Sequence, residues 1–193
     1  MATTNPGKVR EIRRALGDLP LTLATLEAFD VEAPEETGTT FAENAGLKAR
    51  AYANATGLPT VAEDSGLAID ALGGRPGVES ARYPGETYAD KFANLYRELE
   101  PHARPWTARF VCALAFVEAA GHGTLPTFTC QTTVEGEIAP AAHGAHGFGY
   151  DPVFFYPPYG RTLGEVTDEE KLVVSHRGKA FAQFRAWLAD RVA

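Results

Sequence analysis

Residues 58–77 read LPTVAEDSGLAIDALGGRPG, and the two adjacent acidic residues in this stretch decide how the chain is interpreted. The apolar run before Glu63 and Asp64 is typical of a buried strand, and the Ser65-Gly66 pair behind them predicts a turn, with LAIDALGG as a second extended segment. An unpaired charge at the end of a buried strand is costly. The two carboxylates are therefore either solvated where the strand surfaces, or held by a cation or a metal ion.

The chain around this stretch alternates predicted helices with predicted strands. Helices are predicted over TTNPGKVREIRRALG, TTFAENAGLKARAYANATGLP, residues 87–99, TDEEKLVV and SHRGKAFAQFRAWLADRV, and strands over PTVAE, ARFVCALAFVE, TFTCQTTVEG and DPVFFYP. Asn5 is a predicted helix cap, and Thr40 with Glu43 forms a capping-box pattern that ends at Gly57. A hairpin turn is predicted near Gly121. This order predicts the α/β class, with a mixed sheet in a single domain covering residues 1–193.

Length and composition limit the classes of function. The 193 residues suffice for one domain with a sizeable core, and 45% of them are hydrophobic. The net charge of −7 disfavours general binding to a nucleic-acid backbone, although a local basic pocket for a small polyanion is compatible with it. No apolar run approaches the roughly 20 residues of a membrane helix, and the N-terminus lacks a secretory hydrophobic region, so we expect a cytoplasmic protein.

Three predicted helices carry basic side chains in positions that suit an anion. The first begins at Thr3, Thr4 and Asn5, with Lys8 one turn in, where free backbone N–H groups favour anions. Its alternative interpretation is a helix cap beside a surface charge. Lys48, in the second helix, shares a face with apolar residues, and a solvated head on a buried stem is the usual explanation of such a lysine.

The last helix begins with the basic sequence SHRGK. Its side chains His176, Arg177 and Lys179 oppose the helix dipole, and a bound anion would reverse the sign of that cost. Three solvated basic residues are the alternative. Lys171 lies five residues upstream of His176 and could join this cluster.

Acidic residues occur on both sides of the second helix. Glu35 and Glu36 precede it, and Glu63 and Asp64 follow it. Proteins hold Mg²⁺ beside phosphates with one or two carboxylates, while the ion keeps several waters. The alternative is a pair of acidic loops, which is the default interpretation for Glu35 taken alone.

The sequence HGFGYDPVFF combines glycines, two aromatic residues and an aspartate. The glycines allow a close approach of the backbone, and Phe148 and Tyr150 supply flat faces for a ligand. Asp151 is held extended because Pro152 follows it. A glycine-relieved turn leading into a strand explains the same residues almost as well.

Four motifs in order give a more specific indication. They are TTNPGK, then TFAENAGLKA with AEDSGLAIDALGGRPGVESARYPG, then GFGYDPVF, then SHRGKA. Together, at these spacings and over nearly the whole chain, they closely resemble the inosine/xanthosine triphosphate pyrophosphatases, the Ham1-like enzymes. This resemblance implies an elongated α/β fold with a mixed, strongly twisted sheet flanked by helices. It also implies a homodimer, and Mg²⁺-dependent hydrolysis of ITP, dITP or XTP to the monophosphate and pyrophosphate.

The resemblance also implies roles for individual residues. Asp64 matches a metal ligand that is the proposed proton acceptor, Glu35 matches a second metal ligand, and Lys48 matches a lysine within the site. The positions that match substrate contacts are Thr3, Thr4, Asn5, Pro6, Gly7, Lys8, Ser65, Phe148, Gly149, Tyr150, Asp151, Lys171, His176 and Arg177. Among these, His176 and Arg177 could favour a base with a 6-oxo group and no 2-amino group.

Two features depart from the family pattern. Only Met1 and Ala2 precede Thr3, where the family usually has a full strand, so either the first strand is very short or the start lies further upstream. The family often has two aspartates where this chain has Glu63 and Asp64, which leaves the role of Glu63 open.

Two other classes of function compete with this hypothesis. A nucleotide-binding sensor would keep the pocket without turnover, although a pure binder needs no water-activating metal. A phosphatase that removes single phosphates would release orthophosphate in place of pyrophosphate.

Overall fold

The computed structural model describes residues 1–17, 19, 22–118 and 126–192. The chain divides into two compact units. Unit 1 comprises Met1–Ser65, Cys112–Thr132 and His176–Ala193, and unit 2 comprises Gly66–Val111 and Thr133–Ser175. The hairpin turn predicted near Gly121 lies outside the described residues.

Helices and strands occur in the predicted order. In the described part of the chain the helices are α1 (Pro6–Leu16), α2 (Phe41–Thr56), α3 (Tyr88–Leu99), α4 (Asp168–Val174) and α5 (His176–Val192), and the strands are β1 (Thr60–Ile69), β2 (Thr107–Val117), β3 (Phe128–Ile138), β4 (Phe154–Tyr156) and β5 (Arg161–Thr162). Short 3-10 turns connect several of them. Among these described helices, none combines the length and the apolar character that crossing a membrane requires.

The predicted helix ends are confirmed. The Asn5 side chain accepts hydrogen bonds from the backbone N–H groups of Gly7 and Lys8 at the start of α1. Thr40 and Glu43 form both hydrogen bonds of a capping box on α2. Gly57 ends α2 with a left-handed conformation, φ 69°, which a residue with a side chain rarely adopts.

The α/β class, with helices flanking a central sheet, is confirmed, but the prediction of a mixed sheet is corrected. The strand order is β1-β2-β3-β4-β5, and the pairs β3/β4 and β4/β5 are antiparallel. Side-chain contacts indicate that β1 and β2 are antiparallel too. Glu63 of β1 contacts Cys112 of β2, whereas Asp70, just beyond the end of β1, contacts Arg109, which lies earlier in β2. Helix–strand alternation suggested parallel crossovers. Two of the early helices, however, precede β1 and connect no pair of strands.

Strand β1 corrects a second prediction. It runs without interruption through Ser65 and Gly66, where the sequence indicated a turn. Glu63 and Asp64 therefore lie in the interior of a strand and not at its end, and both are buried, with 3% and 6% of their surface exposed. Adjacent strand residues point to opposite sides of a sheet, so the two carboxylates face different layers.

The core of unit 1 has one layer on each face of its strand segments. Ala62 packs with Ala45, Ala49 and Tyr52 of α2. On the other face, Val61 packs in a cluster built from α1, α5 and β2, which contains Ile12, Leu16, Cys112, Leu114, Phe181, Phe184 and Leu188. Each carboxylate of β1 is consequently directed at a different set of helices.

The core of unit 2 is a single cluster. Leu95 and Leu99 of α3 are fully buried in it. They pack with strand residues that include Leu67, Ile69, Phe110 and Phe154. Tyr150 and Val153, from the sequence before β4, belong to the same cluster and anchor the glycine-rich segment.

Candidate active site

The loop before α1 is ordered by its own polar side chains. Asn5 Oδ1 accepts hydrogen bonds from Gly7 N at 3.0 Å and Lys8 N at 3.1 Å, and Asn5 N donates to Thr3 Oγ1 at 3.2 Å. Thr4, Asn5 and Pro6 are exposed. The side chain of Asn5 thus acts as a cap, and the use of this loop as an anion site stays a prediction.

Glu63 lies within a buried ion-pair network on the face of β1 that packs against α1 and α5. Lys8 Nζ is 2.6 Å from Glu63 Oε1, and Arg177 Nη2 is 3.5 Å from Glu63 Oε2. Arg177 also donates to Glu11 Oε2 at 2.6 Å and to Ser65 Oγ at 2.8 Å. Burial would raise the pKa of Glu63, but the charges of Arg177 and Lys8 outweigh it and hold that pKa well below its usual range.

This network changes the interpretation of the α5 terminus. The carboxylates of Glu11 and Glu63 neutralise the buried Arg177. The positive charge at the start of α5, which was expected to attract a bound anion, is therefore balanced in part by the protein itself. His176 is also buried, and its backbone carbonyl accepts a hydrogen bond from Thr132 Oγ1 at 2.6 Å. Of the predicted basic cluster, Lys179 alone is exposed.

Asp64 faces α2, on the opposite side of β1 from Glu63. Lys48 Nζ is 2.9 Å from Asp64 Oδ1 and 2.7 Å from Glu36 Oε1, and Asn44 Nδ2 donates to Asp64 Oδ2 at 3.3 Å. Lys48 has only 9% of its surface exposed, so the usual explanation, a solvated head on a buried stem, does not hold. One ammonium group is shared between two carboxylates at this point.

The charges around Asp64 alter its acidity. Burial and the nearby Glu36 raise the pKa of Asp64, and Lys48 opposes this increase without cancelling it. Burial alone would lower the pKa of Lys48, but the charges of Asp64 and Glu36 raise it above its ordinary value. The pair is therefore a firmly protonated lysine beside a carboxylate that is more basic than usual.

Glu36, and not Glu35, reaches this group of residues. Glu35 is exposed, and no contact joins it to Asp64 or Lys48 among the described residues. Neighbouring glutamates in a loop cannot be ranked from sequence, because which one points inward depends on the path of the loop. Sequence reasoning also missed Asn44 and Glu11, although Asn44 lies one helical turn before Lys48 on the same helix face.

The predicted residues of unit 2 surround a second buried lysine–aspartate pair. Lys171 Nζ is 2.5 Å from Asp151 Oδ2, and Phe148 N donates to the same oxygen at 2.7 Å. The Lys171 ammonium also lies 4.5 Å from the centroid of the Phe148 ring. Asp151 thereby fixes the turn that contains Phe148, and Gly147 is required there because a Cβ atom would lie 2.1 Å from Asp151 Oδ2.

Aromatic contacts hold the rest of this segment. Tyr150 donates its hydroxyl hydrogen to Ser80 O at 2.9 Å, and the Tyr88 ring meets the Tyr150 ring edge-on at 5.5 Å. Gly149 has φ 66°, and a Cβ there would lie 3.5 Å from the Tyr88 hydroxyl. Phe148 and Gly149 are half-buried at the surface of unit 2, whereas Tyr150 is buried.

The predicted residues fall into two groups, one in each unit, and each group contains at least one connected pair. The group in unit 1 is Thr3, Thr4, Asn5, Pro6, Gly7, Lys8, Glu35, Lys48, Asp64, Ser65, His176 and Arg177, and the group in unit 2 is Phe148, Gly149, Tyr150, Asp151 and Lys171. Ion pairs or hydrogen bonds link Lys48 to Asp64 and Arg177 to Ser65 in unit 1, and Lys171 to Asp151 in unit 2.

The donor set fits a magnesium ion with few protein ligands. Over the described residues, no cluster of three or more His, Cys, Asp or Glu side chains is arranged to hold a metal. Asp64 and Glu36 provide two carboxylates that meet at one ammonium group. This matches a hard cation that takes one or two carboxylates and completes its shell with water and phosphate oxygens.

Comparisons with known proteins find similar sequences over most of the chain. A model of the Ham1 family matches residues 1–187. The chain is 50% identical over 184 residues to a dITP/XTP pyrophosphatase of Erwinia tasmaniensis, an alignment that covers 93% of this chain and 88% of that protein. It is 48% identical over 185 residues to a dITP/XTP pyrophosphatase of Thermus thermophilus, with 93% and 86% covered.

Solved structures show the same fold. A HAM1 protein from Coxiella burnetii superimposes with a TM-score of 0.89 at 40% identity, covering 98% of this chain and 96% of that one. A nucleoside-triphosphatase / dITP/XTP pyrophosphatase from Mycobacterium abscessus superimposes with a TM-score of 0.74 at 40% identity, covering 95% and 96%.

Proposed function

The chain belongs to the Ham1 family, and from this premise we propose that it hydrolyses noncanonical purine nucleoside triphosphates, namely ITP, dITP and XTP. The products are the nucleoside monophosphate and pyrophosphate. The relatives at 46–50% identity carry the name dITP/XTP pyrophosphatase, which supports this substrate class. Removal of such nucleotides from the nucleotide pool is the corresponding cellular role.

The observation that carries the proposal is the environment of Asp64. A buried carboxylate with a raised pKa, flanked by Lys48 and Asn44, is a better proton acceptor than an ordinary aspartate. In the proposed reaction a water oxygen attacks the α-phosphorus and its proton passes to Asp64. The bond from the α-phosphorus to the bridging oxygen breaks, and pyrophosphate leaves with the electron pair.

Cationic groups of unit 1 suit a triphosphate. Lys8 lies at the start of α1, where backbone N–H groups favour anions, and its ammonium group is partly exposed beside Glu63. We assign the loop from Thr3 to Lys8 to the nucleotide, with Ser65, His176 and Arg177 as further contacts. Lys48 stabilises the ionised form of Asp64 and offsets negative charge near it.

In unit 2 the proposed substrate contacts are Phe148, Gly149, Tyr150, Asp151 and Lys171. The half-buried Phe148 ring offers a flat face that suits a purine base. Asp151 and Lys171 also fix this turn. Rejection of adenine would follow if a polar group of the site were left unpaired by it.

We propose Mg²⁺ as the cofactor, held by Asp64 together with an acidic residue of the loop before α2. Glu35 is the position that the family resemblance favours, whereas Glu36 is the side chain that reaches Lys48 beside Asp64. When bound, the ion supplies charge neutralisation on the phosphates and a lower pKa for a coordinated water. Asp64 would orient the attacking water and accept its proton.

The remaining expectations are proposals of the same kind. We propose that residues 1–193 act as one catalytic domain, that the enzyme is a cytoplasmic homodimer, and that its partner is the nucleotide, with no nucleic acid or membrane involved. The net charge of −7 supports the exclusion of nucleic acid.

The test is product analysis with purified protein. ITP, dITP, XTP, ATP and GTP are incubated separately with and without Mg²⁺, and pyrophosphate and orthophosphate are measured in parallel. The proposal expects metal-dependent pyrophosphate release that strongly favours the first three substrates. Orthophosphate release would contradict the assigned bond cleavage, and tight binding without any release would indicate a nucleotide sensor.

A further inference from the structure

Asn44 is a fully buried polar residue that neighbours Asp64 and to which the proposed mechanism assigns no step. It lies on α2, four residues before Lys48, and none of its surface is exposed. Its Nδ2 donates to Asp64 Oδ2 at 3.3 Å, and its Oδ1 accepts from Gly38 N at 2.8 Å. The amide therefore joins the strand that carries Asp64 to the loop that precedes α2.

The partners fix the orientation of this amide. Gly38 N can only donate, so the atom that faces it is the carbonyl oxygen of Asn44. The NH₂ group is then directed at Asp64, and an ionised carboxylate can only accept. A reversed amide would place an oxygen against a carboxylate and an NH₂ group against an N–H group. Only one orientation satisfies both neighbours.

Asn44 and Lys48 both connect Asp64 to the loop that precedes α2. Lys48 Nζ joins Glu36 to Asp64 Oδ1, while Asn44 joins Gly38, two residues after Glu36, to Asp64 Oδ2. Each carboxylate oxygen of Asp64 thus receives a donor from the same face of α2. The two donors set the rotation of the carboxylate about its Cβ–Cγ bond.

The approach of the loop to Asn44 is close enough to require glycine. A Cβ atom at Gly38 would lie 2.6 Å from Asn44 Oδ1 and 2.7 Å from Glu43 Cβ. Glu43 holds the next two residues, because Thr39 N and Thr40 N donate to Glu43 Oε2 at 2.8 and 3.1 Å. The loop beside Glu36 is consequently anchored on α2 at consecutive positions.

We infer that Asn44 is a positioning residue for the hydrolysis. It sets the orientation of the Asp64 carboxylate, and it holds the loop that contains Glu36 in place beside Asp64. This inference rests on the proposed function, because Asp64 is the group that receives the proton. A hydrogen bond to a charged group that acts in the reaction affects the rate more than the binding of substrate. Loss of Asn44 should therefore lower kcat with little change in KM.

Two substitutions at this position separate the two bonds. Asn44→Asp retains an acceptor for Gly38 N, loses the donor to Asp64 and adds a carboxylate beside it, whereas Asn44→Ala loses both bonds without adding charge. Both variants are expected to reduce kcat for ITP by about 10- to 100-fold, with KM within about threefold of the wild type. Thermal unfolding followed by circular dichroism verifies that each variant is folded at the assay temperature.

The matched controls are Asn54→Asp and Asn54→Ala, because Asn54 is an exposed asparagine on the same helix. They should keep the wild-type kcat. If Asn44 only anchors the loop, the loss in both variants will appear in KM with kcat within threefold of the wild type, and that result overturns the inference. If the aspartate variant does not fold, Asn44→Ala decides, since a kcat within threefold of the wild type also overturns it.

The same experiment distinguishes failure of the inference from failure of the proposed function. Absence of pyrophosphate release from ITP by the wild type contradicts the proposed function and the inference together. Normal release by the wild type with unchanged kcat in the Asn44 variants contradicts the inference alone.

Discussion

Two buried lysine–aspartate pairs lie in different surroundings in the two units. In unit 1 the ammonium of Lys48 is shared by Asp64 and Glu36. In unit 2 the ammonium of Lys171 contacts Asp151, which also accepts the backbone N–H of Phe148. The residue types are the same, but their neighbours differ. The Lys48–Asp64 pair contacts a second carboxylate, whereas the Lys171–Asp151 pair contacts a backbone N–H group and an aromatic ring.

This difference separates the pair that we propose as reactive from a pair that supports a turn. Burial, reinforced by the nearby Glu36, raises the pKa of Asp64 in unit 1, so its carboxylate suits proton transfer and a divalent cation. In unit 2 the carboxylate of Asp151 binds the turn that contains Phe148, and its chemistry serves to shape that turn. A buried lysine–aspartate pair therefore does not identify a catalytic site until its other neighbours are known.

The largest expected effect follows from Asp64→Asn. The amide cannot accept the proton of the attacking water, so pyrophosphate release should fall by at least about a thousandfold. Nucleotide binding, measured by calorimetry, should remain within about threefold. Asp70→Asn, at an exposed aspartate, is the control with wild-type turnover. Full activity of the Asp64 variant would remove this residue from the mechanism.

Lys171→Met is expected to act on stability. It removes the ammonium from the buried Asp151 carboxylate, and breaking one side of a buried ion pair costs about 3 kcal/mol in the free energy of unfolding. Urea denaturation measures the change. Lys179→Met, at an exposed lysine, should leave the midpoint unchanged. An unchanged midpoint for the Lys171 variant would mean that Asp151 does not depend on its lysine.

Lys48→Met should act on the rate and on its pH dependence. The charge of Lys48 lowers the pKa of Asp64, so its removal raises that pKa further. The base acts when ionised, and the decline of kcat at low pH should therefore begin at a higher pH. At pH 7 we expect kcat to be about 100-fold lower, with partial recovery in alkaline buffer. A profile that coincides with the wild type at every pH would argue against this coupling.

The smallest expected effect concerns Glu63, which faces the opposite side of β1. Its folded-state pKa lies well below the ordinary value of 4.5, so its ionised form stabilises the fold above that pH, and this stabilisation is lost as the pH falls toward the folded-state value. Glu63→Gln should cost about 2 kcal/mol at pH 7, and the difference from the wild type should narrow below pH 4.5. Urea midpoints across this range measure it, and a constant difference would contradict the assigned ion pairs.

Local signals predicted most of the helices and strands. The cap at Asn5, the capping box of Thr40 and Glu43, and the stop at Gly57 depend on hydrogen bonds within a few residues, so they could be deduced from sequence. The turn predicted at Ser65-Gly66 does not form, because contacts with distant residues decide the conformation there. Pairing of β1 with β2 holds the chain extended there, and tertiary hydrogen bonds override a local turn preference.

The sequence by itself determined the order of elements, the α/β class and the residue types of the candidate site, because periodicity, caps and motif spacing are local or linear properties. Only the tertiary structure decided that Glu63 and Asp64 face different helices, that Arg177 is neutralised by Glu11 and Glu63, and that Glu36 reaches Lys48 where Glu35 does not. These facts depend on which distant side chains meet in a medium of low polarity. There, each charge must find a partner, and one-residue shifts along a strand or loop reverse the direction of a side chain.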